Sequence, residues 1–206
     1  MPARVLILLL LATVLAAPVL SAARAQEPSG RANDLQLSPK PADALLEGDE
    51  QEKLRGKSVV VNWTERRMQR REGQSAYRPA VRQGTFSVYV STAGRVFSQI
   101  SMRNPERGES GKRDLVGEGP RRHISLSGST MTTVQEAAAG GARRIVITFD
   151  ATFSSCTAEV IRGKEQGADK IVARSLIRPD VRIEIASVKT SEVSCALKAG
   201  NVFGEK

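Results

Sequence analysis

The chain has 206 residues, 31 Lys+Arg against 22 Asp+Glu, a formal net charge of +9, and only 4% aromatic residues. That length suits a single domain of ordinary size, and so few rings leave its core to Val, Ile, Leu and Ala. One histidine and two cysteines are too few to build a histidine-based metal cluster.

In chain order, Arg4 precedes an unbroken run of Val, Leu, Ile, Ala and Thr from Val5 to Leu15. Pro18 and then Ala23-Arg24-Ala25 follow. This is the charged, apolar, small-residue order of a cleavable signal peptide. Pro18 and Arg24 interrupt it short of the roughly 20 apolar residues that span a bilayer. The expectation is cleavage after Ala25, a periplasmic or secreted mature chain, and no transmembrane segment after cleavage. No cysteine lies near the cleavage site to carry a lipid. The mature chain keeps 29 Lys+Arg against 22 Asp+Glu, a net of +7.

Residues 26–53 read as a flexible linker. Pro28, Gly30, Pro39 and Pro41 stand among small polar residues, and the acidic stretch 43–55 allows a short helical turn around Leu45 and Leu46. The folded domain is expected over 54–206. From Ser58 the pattern has period two. Val59, Val61 and Trp63 form one face, then Phe86, Val88 and Val90, then Val96, Ser98, Ile100 and Met102. Ser91-Thr92-Ala93-Gly94 is a hairpin connection between the last two runs. Further strands are expected at 123–127, 130–135, 143–149 (Ile145, Ile147 and Phe149 in phase), 157–162, 170–177, 181–188 and 191–198. No stretch of 12 residues after Leu54 carries a helical stripe. The predicted fold class is all-β: a single antiparallel β-sandwich or small β-barrel of about eight to ten strands.

The runs Leu54-Arg-Gly-Lys-Ser-Val-Val-Val-Asn-Trp-Thr-Glu65 and Gly141-Ala-Arg-Arg-Ile-Val-Ile-Thr-Phe149 resemble segments of exported alphaproteobacterial proteins of unknown function. This resemblance carries no functional residue. The Leu-x-Gly opening with a Trp-bearing strand is also similar to the first strand of calycin-type barrels. It departs from them in placing Trp63 seven residues after Gly56, without the Gly-x-Trp spacing.

Cys156 and Cys195 are an even pair in an exported chain and are expected to form one disulfide. They are not a C-x-x-C pair, so thiol exchange has no support. His123, beside Arg121 and Arg122, reads as a surface residue. No Gly-x-Ser-x-Gly elbow is present, and Leu126-Ser127-Gly128-Ser129 reads as a turn. The glycines of 108–119 lack the ending of a phosphate loop. Asn62-Trp63-Thr64 matches a glycosylation sequon but falls in a predicted strand. Asp150, Glu159 and Glu184 come from separate predicted strands and could converge, a trio of the kind any β-protein of this size offers. No catalytic residue, metal ligand or cofactor is assigned.

Residues 66–82 hold Arg66, Arg67, Arg70, Arg71, Arg78 and Arg82 against one acid, Glu72. The stretch reads as a long connection between strands, either solvated or a contact surface. Guanidinium groups bind phosphate and carboxylate bidentately, so the partners it implies are anionic envelope lipid, polysaccharide or an acidic protein. Nucleic acid is disfavoured, with only Tyr77 available to stack on bases. Three functions follow: a non-catalytic envelope binding module with an arginine-rich face, a barrel carrier of a small apolar ligand, and a secreted enzyme with a carboxylate site.

Overall fold

Alternating Val, Ile and Phe on one face of the longer strands require a second apolar layer, and two antiparallel sheets supply it. A computed structural model describes residues 49–114 and 122–203, with the backbone alone at 114, 122 and 123. The expected signal peptide, the linker through residue 48 and the side chain of His123 lie outside the described residues. The chain begins with a short helix, α1 (Asp49–Leu54), followed by β1 (Lys57–Arg71), β2 (Arg78–Val90), β3 (Val96–Arg103), β4 (Ser110–Asp114) and β5 (Arg122–Ser127). It continues through β6 (Thr130–Glu136), β7 (Gly141–Phe149), β8 (Cys156–Lys164), β9 (Ile171–Arg174) and β10 (Arg182–Ala199). One sheet runs β4-β3-β2-β1-β10-β9 and curls round the core; the other is the meander β5-β6-β7-β8. The fold is therefore all-β, as the alternation implies.

The core between the sheets is aliphatic with few rings. Val59, Val61, Phe86, Val88, Ile100, Met131, Ile145 and Ile147 are all buried within it, with Trp63 at its edge. The expected helical turn at Leu45 and Leu46 lies outside the described residues, and α1 forms just after it. Leu54 is buried, and Gln51 Nε2 donates to the Gly94 carbonyl at 3.0 Å, tying the helix to the β2–β3 turn. Cys156 and Cys195 are bonded, with Cα atoms 5.6 Å apart. The bond joins β8 of one sheet to β10 of the other.

Three expectations are corrected. The first is the arginine-rich stretch 66–82, which is not a connection. Most of it is strand: β1 continues to Arg71, β2 starts at Arg78, and Arg66↔Val81, Arg67↔Ala80 and Gln69↔Arg78 are ladder partners. The second is the pair of C-terminal strands at 181–188 and 191–198, which form one 18-residue strand. Its register against β1 shifts at Asn62/Thr64 and again at Met68/Gln69. At the first shift Glu192 takes φ 54°. Extra residues on one strand bend it and increase its twist, and here they curl the larger sheet. The third is β4, which lies inside the glycine-rich stretch and pairs with β3. A Cβ at Gly111 would sit 1.8 Å from the Leu176 carbonyl oxygen, so only glycine lets the 175–181 segment approach this strand.

Candidate anion-binding site

The inward positions of β1 change character along the strand. Val59, Val61 and Trp63 face the apolar core; the next inward residue, Glu65, is fully buried, and Arg67 follows with 8% of its side chain exposed. The opposing sheet answers with Arg143, 6% exposed, two residues before the core residue Ile145 on β7. On β8, Arg162 lies two residues beyond the buried Val160. The interior is thus apolar at one end and charged at the other, with Trp63 at the boundary.

Glu65 is the hub of the charged end. Its Oε1 accepts hydrogen bonds from Arg143 Nη2 at 2.7 Å, Arg143 Nε at 3.2 Å and Trp63 Nε1 at 3.2 Å. Arg67 Nη1 lies 3.5 Å from Oε2. The Arg143 guanidinium also sits 5.3 Å from the Trp63 ring centre, within range of a cation–π contact, and its Nη1 donates to Gln135 Oε1 at 3.1 Å. Burial penalises the Glu65 charge, but Arg143, Arg162 and Arg67 more than offset that penalty and hold the carboxyl at about 2. The arginines carry the converse effect. Burial, reinforced by Arg143, lowers Arg162 to about 9, and burial lowers Arg67 to about 10. Both stay cationic at neutral pH.

A cavity of about 260 Å³ opens beside this cluster, with Arg67, Arg143, Arg162 and Gln135 in its wall. Arg113, Arg174 and Glu136 line it as well, so five arginines face Glu136 and the adjoining Glu65. The Nε atoms of Arg67 and Arg162 and Nε2 of Gln135 are buried with no hydrogen-bond partner in the protein. Buried donors are normally satisfied, and buried cations are normally paired. The wall therefore has donors and positive charge to spare for a bound anion.

The six arginines singled out in the sequence are divided by the strand geometry. Arg67 enters the cavity. Arg66, its neighbour, is exposed on β1. Arg70, Arg71, Arg78 and Arg82 line a second depression of about 310 Å³, which shares Ser175, Ile177 and Ile183 with the first. Two of these four have other commitments. Arg70 lies opposite Glu184 in register and binds it at 2.6 Å while stacking 4.5 Å over Tyr77. Arg82 is half-buried, its pKa lowered chiefly by desolvation.

The carboxylate trio does not act as a unit. Asp150 sits in the β7–β8 turn, where the side chains and backbone of Ser154 and Ser155 donate to it, joined by Thr152. These bonds, that of Ser154 foremost, hold it well below the usual carboxylate range. Glu184 is bonded to Lys170 Nζ at 2.6 Å as well as to Arg70, and both lower its pKa. Glu159 is exposed on β8. Among the described residues no three His, Cys, Asp or Glu side chains gather to hold a metal, and no helix is long and apolar enough to cross a membrane.

Glu65, Gln135, Arg143 and Arg162 were not singled out from the sequence. One signal was available for Arg143: it shares the phase of Ile145, Ile147 and Phe149, so alternation alone aims it inward. No family model matches the chain, and no curated protein matches its sequence.

Proposed function

We propose that this is an exported, non-catalytic binding module that takes an anion into the charged end of its interior. The observation that carries the reading is the gathering of five arginines, Arg67, Arg113, Arg143, Arg162 and Arg174, against Glu136 and the adjoining Glu65, with buried N–H donors on Arg67 and Arg162 that have no partner in the protein. An uncompensated buried cation is costly, and an anion accepting from those donors removes the cost. The partner class is the one expected of the arginine-rich stretch, but its place moves from an outward face to the interior. Export is supported by the signal-like residues 1–25 and by the disulfide, a bond that persists outside the reducing cytoplasm.

The same cluster argues against the two other functions. An apolar ligand alone would leave the buried Nε–H donors of Arg67 and Arg162 without an acceptor. Glu65 is held ionised by Arg143, Arg162 and Arg67, so it is a poor proton donor at neutral pH.

The test is calorimetric titration of the folded protein, residues 26–206, with sulfate, phosphate and acetate at low ionic strength. Binding at one site per chain is expected. Arg162→Gln should weaken it at least tenfold, and Arg66→Gln on the exposed side should leave it unchanged. Absence of binding by all three anions, or equal binding by Arg162→Gln, would overturn the reading.

A further inference from the structure

The cavity wall has two chemistries, and they come from different elements. Guanidinium groups reach it from five strands, Arg67 from β1, Arg113 from β4, Arg143 from β7, Arg162 from β8 and Arg174 from β9, beside one lining carboxylate, Glu136. The rest of the wall is largely aliphatic: Ile100 and Met102 from β3, Leu176 and Ile177 from the segment after β9, and Ile183 from β10. Ile100, Met102 and Ile183 are buried, and Leu176 and Ile177 pack against the core. An inorganic anion would satisfy the arginines and leave the aliphatic side without a partner. A neutral apolar molecule would do the reverse.

We infer that the ligand is an amphiphilic monoanion, a carboxylate on a short aliphatic body, with its head on Arg67 and Arg162 and its body against Leu176, Ile177 and Ile183. This rests on the anion-binding reading and specifies it. The arginines of the wall outnumber its carboxylates, so the head is anionic. The planar carboxylate also matches the guanidinium fork. A volume of about 260 Å³ suits a molecule of this size and excludes a polymer or a long lipid chain from full entry. The 175–181 segment that carries Leu176 and Ile177 is fixed against β4 by the close approach at Gly111 and by Arg178 Nη2 to Glu109 Oε1 at 2.5 Å. The aliphatic side is thus part of a built wall.

The deciding experiment titrates the same protein with acetate, butyrate and hexanoate, alongside sulfate and hexanol. Each buried methylene should tighten binding about fourfold until the cavity is filled, and hexanol should show no measurable binding. Ile177→Ala should reduce the gain from acetate to hexanoate at least threefold, whereas Arg66→Gln, outside the cavity, should leave that gain unchanged. Equal affinity for acetate and hexanoate, with sulfate still bound, would overturn this inference and leave the anion-binding reading standing. Failure of sulfate and every carboxylate would overturn both. Tight binding of hexanol would overturn the requirement for an anionic head.

Discussion

Arg143 and Glu65 meet at 2.7 Å although they belong to different sheets and lie 78 residues apart in the chain. Arg143 adds a second bond through Nε, and Glu65 takes a third from Trp63. The contact closes the charged end of the interior much as the cystine closes another part of it. It also sets the local charge balance, because Arg67, Arg143 and Arg162 all converge on Glu65.

Removing that carboxylate charge should be costly. Glu65→Gln takes the shared counter-charge away from Arg67, Arg143 and Arg162. Breaking a buried pair in this way typically costs about 3–5 kcal/mol. Urea unfolding should show that loss in dilute buffer, and sulfate should restore more stability to Glu65→Gln than to the wild type. A variant as stable as the wild type, in sulfate and without it, would show that the charge surplus is not felt.

Acid should undo the same contribution. The ordinary value of 4.5 falls to about 2 for Glu65 in the folded protein, so the unfolded chain takes up the proton first. The stabilisation is complete above about pH 5, drains away as the pH falls toward 2, and amounts to about 3 kcal/mol. Comparing wild type with Glu65→Gln isolates it from the other lowered carboxylates, Asp150 and Glu184. The stability gap between the two should stay constant from pH 7 to 5 and close by pH 2. A gap independent of pH would contradict the assignment.

Gly84 stands opposite Trp63 in the β1–β2 ladder, and a Cβ there would lie 2.1 Å from the indole. Gly84→Ala must therefore displace the one tryptophan of the chain, at the boundary between apolar core and charged cluster. A loss of about 1–3 kcal/mol is expected, with a red-shifted emission as the ring leaves its buried seat. An unchanged spectrum and stability would mean that the ring has room to move.

The cystine closes a loop of 39 residues and ties β8 to β10. Cys195→Ala should lower stability by about 2–4 kcal/mol, measured by thermal or urea unfolding. Anion binding should survive in the variant that folds, because neither cysteine lines the cavity. Loss of binding with the fold intact would tie the bond to the site.

The exposed arginines should behave differently from the buried one. Arg66→Ser and Arg71→Ser should shift stability by less than about 0.5 kcal/mol. Arg67→Ser should be far more damaging, since Arg67 is buried against Glu65. Equal effects at Arg66 and Arg67 would refute the inside–outside division of β1.

What the sequence alone determined follows from local rules. Val59, Val61 and Trp63, or Ile145, Ile147 and Phe149, specify a strand with one apolar face wherever the chain places it, and ten such runs leave no architecture except layered or closed sheets. The cystine was legible too, from an even cysteine count in an exported-looking chain. The reading failed where the interior stops being apolar. Beyond Trp63 the inward positions of β1 are Glu65 and Arg67, so hydrophobic alternation disappears although the strand continues to Arg71. A charged interior and a solvated connection are alike in composition, which is why 66–82 read as a loop. Only the tertiary structure separates them, because the match between Glu65 and Arg143 depends on two sheets meeting face to face, and no spacing along the chain encodes that distance. It also decides which arginines are desolvated. Two neighbours in sequence, Arg66 and Arg67, differ only in the side of the sheet they occupy, and that difference alone sets Arg67 against the buried Glu65.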